Sequence, residues 1–194
     1  SFPNWDKTGP NATLSWDVMG YYTYLPAGLI YQDLAKLEFR DSIQKKYQPS
    51  GLDHAGFYHE PSGQQIMKYP IGMAVAYLPW FLMAHTTATF SSYPADGFSL
   101  PYQFSIAFGC LFYAFVGLWY FRKILRYYFE DEIAGIVLLL IALGTNYLNY
   151  AAFDMAMPHN FLFTLYAILV WTSIRWYKKP SYLGSIVIGV CIGW

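Results

Sequence analysis

The residues best suited to chemistry are a few ionisable side chains set among apolar and aromatic neighbours. Asp17 is the lone carboxylate in Ser15-Trp16-Asp17-Val18-Met19-Gly20-Tyr21-Tyr22. In a partly desolvated aromatic setting it suits a general base, although an acid there also serves to start a short helix. Lys68 is the only Lys or Arg between Lys46 and Arg122 and stands at the edge of a long apolar run. An ammonium so placed meets a lipid phosphate or simply snorkels to the interface. Asp154 and His159 flank Met155-Ala156-Met157-Pro158. Ionisable groups this near membrane depth are costly and therefore functional candidates, with a short solvated loop as the plain alternative. Asp53, His54, His59 and Glu60 offer donor types for a divalent cation, but their spacing fits no metal motif and a polar loop is the simpler reading. His85 reads as a packed or interfacial imidazole, and Asn11-Ala12-Thr13 as a weak glycosylation sequon.

Composition limits what can position these groups. Of the 194 residues, 56% are apolar and only 12% charged, about half the charged share of a soluble domain, so little of the chain reads as a soluble core. A zero formal net charge with no basic tract leaves nucleic-acid binding without an electrostatic footing. Aromatic residues reach 21%, with 19 Tyr and 7 Trp, which suits rings at lipid headgroup level. Cys110 and Cys191 lie apart inside apolar runs and predict neither a disulfide framework nor a metal knuckle.

Residues 1–68 carry charges throughout, whereas 69–194 confine them to short clusters. Four uncharged runs, 69–95, 97–121, 133–153 and 155–174, each approach the roughly 20 residues a spanning helix needs, and a fifth begins at Pro180. Arg122, Lys123 and Arg126 separate the second and third runs, and Arg175, Lys178 and Lys179 the fourth and fifth, which places both clusters in the cytoplasm. Parity then puts 149–160 outside and makes 69–100 a re-entrant or interfacial helix pair broken by Pro70, Pro79 and Pro94. Within 1–68, Asp17 caps a short helix ending before Pro26, and Leu29, Ile30, Leu34, Leu37 and Ile43 form the stripe of a surface-lying amphipathic helix. Residues 51–63 lack periodicity and read as a loop. The expected fold is an all-α integral membrane helix bundle, polytopic, with a large extracytoplasmic first loop of interfacial helices (1–68), a re-entrant or interfacial segment (69–100) and about four transmembrane helices (101–194). An opening without Met and an end inside an apolar run predict a piece of a longer chain.

In this order the residues resemble the N-terminal part of the GT-C membrane glycosyltransferases, the superfamily of protein O-mannosyltransferases and bacterial aminoarabinose transferases. The resemblance lies in an outer-face acid before an aromatic stretch (Asp17, Tyr21, Tyr22), a Lys-x-Pro step opening an apolar run (Lys68, Tyr69, Pro70) and a second acidic outer loop two spans later (Asp154). It implies a polyprenyl-phosphate sugar donor taken from membrane lipid, transfer with inversion on the outer face, and a bacterial inner membrane with residues 1–100 largely extracytoplasmic. On that analogy Asp17 is the catalytic base, Lys68 neutralises the departing phosphate, and Asp154, His159, Tyr21 and Tyr22 line the substrate cavity. Many members pair two acids at the first site. Here Val18 follows Asp17, so a divalent cation is possible but not required. A non-catalytic membrane subunit or scaffold is the alternative. A transporter ranks third, because the spans lack the internal charges that coupled transport uses.

Overall fold

The computed structural model describes residues 7–194 and every side chain among them except that of His54. It is mostly helical and divides into two compact units, Ser1–Gly109 and Cys110–Trp194, with helix α5 contributing residues to both.

The first unit opens with α1 (Trp16–Tyr22) and α2 (Tyr24–Leu29). Pro26, expected beyond a helix end, sits in the first turn of α2, where a missing N–H costs no intrahelical bond. The expected amphipathic helix over 29–45 does not form as one piece. The Asp33 carboxylate accepts from the N–H groups of Lys36 at 2.8 Å and Glu38 at 2.7 Å, drawing the chain into turns, and only α3 (Arg40–Tyr47) is helical. Leu37 and Ile43 of the expected stripe are buried, whereas Leu29 and Leu34 are exposed.

Part of the expected 51–63 loop is instead ordered. A short 3-10 turn at Leu52–His54 leads into β1 (Gly56–His59), which pairs antiparallel with β2 (Gln64–Met67), Phe57 opposite Ile66. The connecting turn closes through Gly63 N–H to His59 carbonyl at 3.0 Å. Next comes α4 (Gly72–Thr89), one continuous helix with Pro79 inside it, rather than two helices broken at the prolines. It runs antiparallel to the start of α5 (Leu100–Tyr128): His85 meets the Tyr102 hydroxyl at 2.6 Å, and Ser105 donates to the Trp80 carbonyl at 2.7 Å.

These elements enclose a core that the composition did not foretell. Leu14, Met19, Tyr22, Tyr77, Phe81, Phe98, Tyr102 and Ile106 are all fully buried, with the Tyr22 ring 5.9 Å from Phe81 and 6.0 Å from Phe98. Asp96 secures its edge. Its side chain accepts from Lys46 Nζ at 2.8 Å, the Tyr47 hydroxyl at 2.7 Å and the N–H groups of Phe98 and Ser99, while Tyr31 donates to its carbonyl at 2.9 Å.

In the second unit α6 (Asp131–Gly144), a π-helical turn (Asn149–Phe153), α7 (Pro158–Lys178) and α8 (Tyr182–Gly193) follow α5. The basic cluster 122–126, expected in a loop, lies within the last turns of α5. The expected 133–153 span is cut short when α6 ends at Gly144, about 21 Å of helix. Among the described residues one helix, α5, is long and apolar enough to cross a membrane. Packing is local. Tyr147 donates to the Ala114 carbonyl at 2.7 Å, Thr164 to the Tyr113 carbonyl at 2.8 Å, and Phe121 meets Phe163 at 5.6 Å.

Two measurements check this account. Gly51 has φ +88°, and a Cβ there would lie 2.6 Å from the Trp16 backbone, whereas one on Gly135 would meet nothing within 4 Å. Gly51→Ala should lower stability by roughly 2–4 kcal/mol, and Gly135→Ala should change it by no more than about 1 kcal/mol, read as thermal unfolding of the detergent-solubilised chain. Burial, then the Asp96 charge, pushes the Tyr31 phenol from 10.0 up to about 12, partly offset by Lys46. Burial and the hydrogen bond to Asp96 raise Tyr47 as well. The folded state therefore holds these protons more tightly than the unfolded chain. The stability these two groups contribute should be constant below pH 10 and be lost as pH rises from 10 toward 12, with a late-ionising tyrosine class in the ultraviolet titration.

Candidate functional site

Asp17 and Lys68 are 51 positions apart in sequence yet flank a single phenol. The Tyr69 hydroxyl donates to Asp17 Oδ1, and Lys68 Nζ donates to the same hydroxyl at 3.3 Å while lying 4.9 Å from the ring centroid. Three neighbours hold Tyr69. Tyr21 packs against it at 4.6 Å, Tyr24 donates to its carbonyl, and Gly20 lies beneath it so closely that a Cβ would come within 2.1 Å of the ring. Lys68 is anchored by its own N–H to the Ala55 carbonyl at 3.0 Å, which ties the end of the hairpin to the 3-10 turn.

The backbone entering this site is unusual. Trp16 has φ +51°, a conformation costly for a residue with a Cβ, and its N–H donates to the Ser50 carbonyl at 2.7 Å. The left-handed Gly51 lets that contact close, so the tight approach of 50–51 to Trp16 holds the turn that aims Asp17 outward. Backbone strain retained by surrounding structure is a recurrent feature of functional sites.

Asp17 and Lys68 are both exposed and Tyr69 is half-buried, so a carboxylate, a neutral phenol and an ammonium line up at the surface. Burial first, then the hydrogen bond to Asp17, raises Tyr69, and burial followed by the Asp17 charge raises Tyr21. Both phenols therefore stay protonated at neutral pH, and Tyr69 remains a donor to Asp17. This arrangement can accept a proton at Asp17, pass one along Tyr69, and present a cation to an oxyanion at Lys68.

The other expected site residues fare differently. Tyr22, expected to touch substrate, is wholly buried and gives its hydroxyl proton to the Gly97 carbonyl, which makes it a core residue. Asp154 and His159 belong to the second unit. Both are exposed, with Asp154 just after the π-helical turn and His159 stacked on Tyr150 at 4.0 Å. Asp53 faces Arg40 at 4.0 Å, His59 bonds Ser62 at 2.9 Å, Glu60 is exposed, and the side chain of His54 lies outside the described residues. Among the described residues no three His, Cys, Asp or Glu side chains gather into a metal-binding group. Compared with known proteins, the chain matches no family model, no curated protein and no solved structure. Sequence reasoning named Tyr69 only as the middle of a Lys-x-Pro step. Its adjacency to Lys68 and the nearby glycine at position 20 were the available signals.

The Tyr69 bridge can be cut in two ways. Tyr69→Phe removes only the hydroxyl and should leave folding near normal, because the ring still packs on Tyr21 and Gly20. Gly20→Ala drives a Cβ into the ring and should displace it from Asp17 altogether. A clear loss of thermal stability in Gly20→Ala but little in Tyr69→Phe, at similar far-ultraviolet signal, is the expected outcome.

Proposed function

We propose that this chain is part of a polytopic membrane glycosyltransferase that moves a sugar from a polyprenyl phosphate to an acceptor hydroxyl on the extracytoplasmic face, as its resemblance to the GT-C enzymes implies. The observation that carries this reading is the Asp17, Tyr69 and Lys68 line, an acid and a cation held a phenol apart on one surface. In the proposed reaction Asp17 takes the proton from the acceptor hydroxyl as that oxygen bonds to the anomeric carbon. The bond from that carbon to the phosphate oxygen breaks, and its electron pair leaves with the phosphate. Lys68 stabilises the growing negative charge. Tyr69 keeps the two groups oriented, and Tyr21 offers a ring face to a sugar.

The membrane part of the reading is supported by the second unit. Ile136, Leu139, Leu140 and Leu143 of α6 and Leu183, Ile186, Val190 and Ile192 of α8 are all exposed. Apolar faces of that extent are covered by something other than water, and lipid is the cover we propose, with α7 joining α5 as a span and the shorter α6 and α8 entering the bilayer beside them. The alternative, a non-catalytic membrane subunit, uses Asp17 only as an acid in the first turn of α1.

Asp17→Asn should abolish transfer while leaving donor binding largely intact, because the amide keeps the shape but takes no proton. Lys68→Ala should weaken both donor binding and turnover, each by roughly 10-fold or more, since the phosphate is charged before the reaction as well as after it. Donor-lipid binding measured beside sugar transfer in the membrane-embedded protein separates the two. Near wild-type transfer by Asp17→Asn would remove Asp17 as the base, whereas no transfer by the unaltered protein would leave the non-catalytic subunit as the better reading.

A further inference from the structure

Six cations lie at one end of the second unit and they are not treated alike: Lys178 sits 4.4 Å from the Tyr127 ring centroid, apart from the rest. Arg122 and Arg126 share Asp131, at 2.8 and 3.1 Å. Lys123, Arg175 and Lys179 make no ion pair with any described acid, yet all three line the same cleft of 440 Å³, formed by the last turns of α5 and α7 and the start of α8. Its remaining walls include Tyr120, Trp171 and Trp176. Lys123 Nζ lies 4.6 Å from the Tyr120 ring centroid and 5.4 Å from that of Trp119, so two ring faces are set against its charge. Three like charges around one concavity repel one another and raise the local potential for an anion.

The shape of the surroundings indicates which anion. Leu183 and Val187 of α8 continue the cleft wall, and Leu183, Ile186 and Val190 are exposed beyond it. A phosphate held by Lys and Arg, an amphipathic ring belt and an apolar slope beginning at the same place match the parts of a phospholipid in their order. We propose that this cleft seats the phosphate headgroup of an anionic phospholipid, with its acyl chains running along α8. The proposal rests on the reading of this unit as membrane-embedded. It is a different site from the Asp17 and Lys68 line, and it takes a structural lipid rather than a sugar donor.

The test uses the full chain in neutral phosphatidylcholine nanodiscs, with tryptophan fluorescence quenched by brominated phosphatidylglycerol or brominated phosphatidylcholine. Brominated phosphatidylglycerol should quench at far lower mole fraction. Lys123→Gln with Arg175→Gln should lose that preference, weakening apparent affinity roughly 30-fold, whereas Arg122→Gln with Arg126→Gln, an equal loss of charge, should keep it. Equal quenching by both lipids in the unaltered protein would overturn the inference and leave the membrane reading standing. So would equal loss in both double variants, or displacement by millimolar inorganic phosphate, which would mark a free-anion site. Quenching by neither lipid would overturn the membrane reading, and this inference with it.

Discussion

The first unit depends on one carboxylate. Asp96 is mostly withdrawn from water, at 16% side-chain exposure, and is satisfied by a lysine, a tyrosine and two backbone N–H groups. A partly buried charge is stable only when its lone pairs are filled, and then removal of any partner is costly. These bonds fix the turn before α5 against α3. The fixed turn presents the Gly97 carbonyl to Tyr22, and Tyr22 seats α1 on α4 through Tyr77 and Phe81. Asp17 is one turn away from Tyr22 on the same short helix. An exposed acid on a seven-residue helix has little local reason to hold its direction, so its placement is inherited from packing that begins at Asp96.

How far the sequence spoke depended on whether a signal was local. The apolar runs marked α4, α5, α7 and α8 because continuous hydrophobicity is a property of the segment itself. The ends were less legible. Arg122 and Arg126 continue α5 and share Asp131, a pairing that no run of uncharged residues reveals. The stripe from Leu29 to Ile43 had helical spacing, yet Asp33 captured the N–H groups a helix would have used. Phe57, Tyr58 and Ile66 carried the β preference of a hairpin, but four-residue strands give too short an alternation to stand out among His, Gly and Pro.

The candidate site was half legible for the same reason. Asp17 and Lys68 were conspicuous as isolated charges in aromatic and apolar settings. Tyr69 was one tyrosine among 19, and its role comes from a glycine 49 positions earlier that leaves room for its ring. Tyr22 looked equivalent to Tyr21 in sequence. Helical geometry turns adjacent residues about 100° apart, so one faces the core and the other the site. Asp96 was passed over because it follows a proline and an alanine in what read as a connector, and its importance lies wholly in long-range partners.

The two units show what burial does and does not say about solvent. The first closes large aromatic side chains around Tyr22 and holds polar groups such as Thr23 and Gln103 inside on hydrogen bonds, while Met83, Phe90 and Phe104 stay exposed. The second buries few large side chains, among them Phe161, and turns its leucines and isoleucines outward. Its polar interior contacts are instead small and satisfied: Asn160 donates to the Tyr150 carbonyl at 2.7 Å and Thr164 to that of Tyr113. In hydrocarbon there is no hydrophobic gain from pressing leucines together, so helices associate through close packing of small residues and through hydrogen bonds. Gly117 against Thr164, with room for no Cβ, is packing of that kind. Exposed apolar side chains and small, hydrogen-bonded interhelical contacts are separate features of this unit, and the lipid we propose around it would account for both.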